Sequence, residues 1–268
     1  MSIITSQQIT KYYELYREIE VTFNKNVIRA TGLETANIYL KCMGRQWPCV
    51  LYATSLKGAK VIAGLKTEHF EILKKANNLV NLRFSFKRDE KTEPISFFVS
   101  SKATAFSKYN EKNPDVYFIS LTYTQRPPDD LIEIIGKLIE ANLDAKKRRD
   151  ERVIINPESI RKLGLASKET FIYIEAVPRK CILRDISYSG AKVLIFGIGK
   201  FLMNKKAILK IPFEDRREPI ELEGTVVRFE EVEGRKDISA IAIQFDEGKV
   251  PMEYRMKLSD YLQHSHRT

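Results

Sequence analysis

The chain carries little sulfur: three cysteines in 268 residues, Cys42, Cys49 and Cys181, with no Cys-x-x-Cys spacing. An odd, sparse set excludes a disulfide framework, and a reduced cytoplasmic compartment is the expectation. Histidine is equally scarce. His69 stands alone, and His264 and His266 fall in the last few residues, so no metal site is expected. There is no P-loop, no His-Glu-x-x-His and no Gly-x-Ser-x-Gly. The acid pairs Asp129-Asp130 and Glu230-Glu231, read as a helix cap and a turn, have no histidine nearby. No enzyme and no cofactor are expected. The one tryptophan, Trp47, lies beside Pro48 and reads as a satellite core position in a turn. No apolar run approaches the roughly 20 residues that span a bilayer. The polar, amphipathic start, residues 1–20, is unlike a secretory signal.

Positive charge is what the chain has in excess. Lysine and arginine number 45 against 35 acids, for a net charge of +10 and a pI near 9.3. Such a balance fits acidic partners: nucleotides, nucleic acid or an anionic surface. The length accommodates two domains, and 43% hydrophobic residues supply their cores.

Residues 6–19 place Ile9, Tyr12, Tyr13, Tyr16 and Ile19 at helical spacing, with Thr5 or Ser6 as cap. From residue 20 to residue 65 the pattern is strands: 20–23, 37–42, 49–54 and 59–63. A short helix is expected over 68–77, then strands over 79–86, 95–101 and 116–123. Pro127 and Pro128 break the chain, and Asp129 or Asp130 caps a helix over 131–147 with Leu131, Ile134, Ile135, Leu138, Ile139 and Leu143 on one face. Its basic end suits the negative pole of the helix dipole. Beyond it the C-terminal half begins with Arg152-Val-Ile-Ile-Asn, followed by a short helix over 157–163 and strands near 171–177, 181–186, 191–196, 207–212, 220–230 and 238–245. Closely spaced strands of this kind predict an antiparallel barrel. An amphipathic helix over 251–263 closes the chain.

Two segments stand out for chemistry. Lys146–Arg152 holds two arginines four apart, Arg148 and Arg152. Asp185-Ile186-Ser187-Tyr188-Ser189-Gly190 holds an acid, a hydroxyl and a glycine at fixed offsets. A guanidinium is a planar fork that can meet phosphate, pair with guanine O6 and N7, or stack on a base. An ionised Asp185 only accepts, which suits the N1–H and N2 edge of guanine. Ser187 can donate to a phosphate oxygen, and Gly190 admits close approach or a positive φ. The pair resembles the signature of PilZ domains, Arg-x-x-x-Arg followed by Asp/Asn-x-Ser-x-x-Gly, with no departure at any position. The resemblance implies a receptor for cyclic di-GMP. Its implied ligand residues are Arg148, Arg152, Asp185, Ser187 and Gly190, with Lys147, Arg149, Ser189 and Ala191 beside them. It also implies a six-stranded barrel with a helix at one end.

Residues 49–61 align without a gap on residues 181–193, with Cys, Leu, Ser, Gly, Ala, Lys and Val shared at seven of thirteen positions. Ala53 replaces Asp185, Tyr52 replaces Arg184, and no arginine pair precedes the first copy. The arrangement resembles PlzA-type receptors, in which an atypical PilZ-like domain precedes a ligand-binding one. The expected fold is therefore mainly β, two PilZ-like antiparallel β-barrels joined by a helix and basic linker, plus a C-terminal helix. The expected domains are 1–130, a degenerate PilZ-like domain; 131–152, the connecting helix and arginine linker; and 153–268, the PilZ barrel. The implied function couples cyclic di-GMP binding to interdomain rearrangement and control of an unidentified protein partner, with motility as the family's association. Two other functions stay open: a basic nucleic-acid-binding protein, and a structural PilZ protein without ligand.

Overall fold

In a computed structural model the described residues are 5–87 and 93–265. His266 lies outside them, and the side chain of His264 is likewise not described. The chain folds as two compact units, 1–139 and 140–268.

The first unit opens with helix α1 (Ser6–Tyr16), capped by the Thr5 hydroxyl, which accepts from the Gln8 N–H. Then follow β1 (Val21–Thr22), α2 (Lys25–Thr31), β2 (Tyr39–Cys42), β3 (Arg45–Thr54), β4 (Gly58–Gly64), α3 (Thr67–Lys75), β5 (Leu79–Phe86), β6 (Ile95–Lys108) and β7 (Val116–Tyr123). The sheet order β3-β2-β5-β6-β7-β4 closes through a β3–β4 pairing, giving an antiparallel six-stranded barrel with β1 laid on β3. Closure leaves the ring without an open edge. Ile38, Leu40, Leu82, Phe84 and Phe86 are among the fully buried side chains of this unit. Helix α4 (Asp129–Lys147) begins in the first unit and ends in the second.

The second unit contains β8 (Val153–Ile154), α5 (Pro157–Leu163), β9 (Glu169–Ile174), β10 (Val177–Ile186), β11 (Gly190–Phe196), β12 (Lys206–Ile211), β13 (Ile220–Val232), β14 (Arg235–Phe245) and α6 (Met252–Ser265). Its ring runs β10-β9-β12-β13-β14-β11 and closes through β10–β11, with β8 laid on β10. Ile172, Leu183, Val193, Leu209, Leu222 and Ile241 fill the barrel, and Tyr254, Leu258 and Leu262 bring α6 onto that core. The expected mainly β fold of two barrels, a helix between them and a C-terminal helix is present.

The repeat runs farther than its thirteen aligned residues. Residues 21–64 correspond to 153–196 in strand register: Val21 pairs with Thr54 as Val153 pairs with Ile186, and Cys49 pairs with Ala63 as Cys181 pairs with Ile195. Helix α2 answers to α5 residue for residue. Asn24 and Asn156 cap them, and Gly32 and Gly164 end them at φ 67° and 68°, a left-handed conformation cheap only for glycine.

Four local expectations are corrected. The segment after β1 is not strand throughout, since α2 stands there. Asp129 and Asp130 lie inside the first turn of α4, and the N–H groups of Leu131 and Ile132 bond instead to the Pro128 carbonyl. Trp47 is in strand β3, buried with its ring 5.1 Å from that of His69. Glu230 and Glu231 are in strand β13.

Candidate functional site

The two arginines and the turn meet within the second unit. Helix α4 ends at Lys147, and the Arg148 N–H still donates to the Asp144 carbonyl at 2.8 Å. A further turn follows, with the Glu151 N–H bonded to the Arg148 carbonyl at 3.0 Å. Arg152 then stands immediately before β8. Ile154 faces Asp185 across the β8–β10 ladder, and the Ile155 N–H bonds to the Arg184 carbonyl at 2.8 Å. This register delivers the Arg152 guanidinium onto the Asp185 carboxylate as an ion pair.

A bulge decides which way Asp185 points. The β10–β11 register shifts between Leu183 and Asp185. In an unbroken strand, residue 185 would follow Cys181 and Leu183 into the core, because side chains alternate. The extra residue leaves Arg184 exposed, Asp185 half-buried and Ile186 buried.

The turn that follows is held from within. The Ser187 hydroxyl accepts from the Gly190 N–H at 3.1 Å and donates to the Gly190 carbonyl at 3.2 Å, and Ser187 itself is fully buried. The Tyr254 hydroxyl on α6 donates to the Ser187 carbonyl at 2.8 Å, and burial pushes that phenol's pKa up. Gly190 does not have a positive φ. Its reason is closure of the barrel: a Cβ there would lie 2.3 Å from the Ile243 carbonyl oxygen. Ala191 is buried in the core. Lys147 and Arg149 are exposed, and Arg149 faces Glu247 at 3.5 Å. Ser189 donates to Asp150 at 2.8 Å.

Arg148 is held differently. Its Nε lies 3.8 Å from Asp144 and its Nη1 3.9 Å from Glu151, both longer than hydrogen bonds. Asp144 is instead committed to α6, accepting from the Ser259 hydroxyl at 2.7 Å and from Gln263 at 3.3 Å. Asp144, Asp150 and Tyr254 were not singled out from sequence. Asp150 sits between the two signature arginines and was legible there; the other two needed the fold.

The corresponding places in the first unit lack this chemistry. Tyr16 stands for Arg148, Glu20 for Arg152 and Ala53 for Asp185, and Glu20 pairs with Lys60 at 2.8 Å. The turn itself persists. Ser55 N–H bonds to the Gly58 carbonyl at 2.8 Å, as Ser187 N–H does to Gly190, and a Cβ on Gly58 would lie 2.3 Å from the Leu121 carbonyl oxygen. Among the described residues no cluster of acids, histidines and cysteines could hold a metal, and no helix is long and apolar enough to cross a membrane.

Comparison with known proteins yields two domain matches, a PilZN3 domain over residues 7–142 and a PilZ domain over residues 146–264. A cyclic di-GMP binding protein of Treponema denticola is 45% identical over 261 residues, 97% of this chain and 83% of that one. The crystal structure of Borreliella burgdorferi PlzA in complex with c-di-GMP is 28% identical, covering 96% of this chain and 98% of that one, with a TM-score of 0.43. The K. pneumonia MrkH–c-di-GMP complex is 13% identical over 97% of this chain and 95% of that one, with a TM-score of 0.32.

Proposed function

We propose, from the premise that this chain belongs to the PilZ family, with a PilZN3 domain followed by a PilZ domain, that it is a receptor for cyclic di-GMP. One observation carries the reading. Arg152 meets Asp185, and Arg148 stands near Tyr188 of the same turn, in the unit that holds the whole signature, whereas the matching places of the other unit hold Tyr16, Glu20 and Ala53. The 45% identity to a cyclic di-GMP binding protein supports it.

The arginine segment is latched to its own barrel by Arg152–Asp185, Asp150–Ser189 and Arg149–Glu247. Exposed pairs of this kind contribute about 0–1 kcal/mol each. A charged hydrogen bond to a phosphate or a guanine edge contributes about 1.5–3 kcal/mol. Exchange of the latch for ligand is therefore favourable. Arg152 turns to the ligand, and Asp185 is released to accept from a guanine edge. Ser187 and Gly190 shape the turn that presents Asp185. The arginines continue directly from α4, a helix that begins in the first unit, so ordering them by ligand couples occupancy to the arrangement of the two units and, through it, to a protein partner.

Calorimetric titration with cyclic di-GMP tests the site. Arg148→Ala and Arg152→Ala should each weaken binding about tenfold or more, with Arg149→Ala costing less. Unchanged affinity in both of the first two variants would sink the assignment. Salt separates this function from nucleic-acid binding, since polyanion affinity falls steeply with salt and a pocketed dinucleotide's falls gently.

A further inference from the structure

Within the second unit, among the described residues, two buried polar atoms near the arginine segment make no hydrogen bond: Nη1 of Arg148 and the hydroxyl of Tyr188. They belong to one cluster. Tyr188 is 5% exposed, and Asp144, Arg148, Glu151 and Ser259 all stand close enough to act on its phenol. The Ser259 hydroxyl lies near the phenol but is committed to Asp144, and it makes no hydrogen bond of good geometry to Tyr188. A hydroxyl buried without a partner costs stability, by about 1–3 kcal/mol in typical cases. A phenylalanine would fill the same space without that cost. Burial raises the phenol's pKa, so it stays protonated, able to accept through its oxygen and to donate its one proton. The guanidinium beside it has donors to spare and is held only at ion-pair range by Asp144 and Glu151.

We propose that Tyr188 is a positioning residue for Arg148. When ligand draws the arginine segment onto the turn, the Tyr188 hydroxyl accepts a hydrogen bond from the Arg148 guanidinium and aims its remaining donors at the ligand. Two groups that are unsatisfied apart are satisfied together, so the contact relieves both. Tyr188 lies inside the turn but outside the positions the signature defines, and its role rests on the receptor function proposed above.

The test is a double-mutant cycle on the full chain with cyclic di-GMP as titrant, joined to thermal melts without ligand. Tyr188→Phe should weaken binding about fivefold to tenfold, the scale of one hydrogen bond, while its melting temperature stays level or rises. In an Arg148→Ala background the same change should have no further effect on affinity, and likewise in Arg148→Lys, which keeps charge but loses the fork. A merely structural tyrosine would lower the melting temperature and leave affinity alone. Wild-type affinity in Tyr188→Phe overturns the proposal, as does an undiminished loss in the Arg148→Ala background. Absence of binding by the wild-type chain fails the receptor function itself, and is distinguished by appearing before any variant is made.

Discussion

Three thiols show how far a residue's surroundings govern its reactivity. Cys49 and Cys181 occupy matching inward positions on β3 and β10, and burial pushes both thiols up to about 12. Cys42 is buried as well and also raised. A raised pKa leaves the neutral thiol dominant at pH 8, and only the thiolate attacks an alkylating reagent. The folded protein should therefore resist iodoacetamide at pH 8, while the denatured chain takes label at all three cysteines, as intact mass will read. Labelling of Cys181 in the native state would mean that the second barrel opens locally. The same scale separates what a sequence can say about the site from what it cannot. Arg148, Arg152 and Asp185 announce themselves by charge and spacing. Gly190 announces itself too, but for a reason invisible in the chain: the neighbour that forbids a Cβ is the Ile243 carbonyl, 53 residues away in sequence and 2.3 Å away in space.

At the scale of elements, helix α4 holds a glycine where propensity alone would favour alanine. A Cβ on Gly136 would lie 2.3–2.9 Å from Cδ2, Cγ and Cβ of Tyr12 on α1. These are atoms near the root of a buried side chain, not a flexible tip. Gly136→Ala gains about 1 kcal/mol of helix propensity but overpacks the α1–α4 contact, at about 1–3 kcal/mol. The expected result is net destabilisation, seen as a lower denaturant midpoint with unchanged slope; a raised midpoint would show that α1 yields easily. Strands β5 and β7 were legible to the residue because alternation and turn residues agree there. Helix α2 was not, because Lys25–Thr31 is short and its Val27, Ile28 and Thr31 are β-branched. Its twin α5 has Pro157 at the first position and was legible. Carrying the ungapped alignment back from Cys49 to Asn24 and Gly32 would have exposed α2, since cap residues persist where the intervening identities do not.

For the whole molecule, two barrels share strand order, a bulge in the third strand of one and its counterpart in the other, and the turn that follows it. What differs is the charge laid around that turn. The chain thus carries its own control experiment. Gly58 and Gly190 meet the same obstacle at the same 2.3 Å, a carbonyl oxygen of the neighbouring strand. Gly58→Ala and Gly190→Ala should therefore exact similar losses of melting temperature, each reflecting about 1–3 kcal/mol of overpacking, while only the second weakens cyclic di-GMP. Whatever part of a substitution's effect is architecture appears in both halves, and whatever part is recognition appears in one, so a single polypeptide supplies both the sample and the blank.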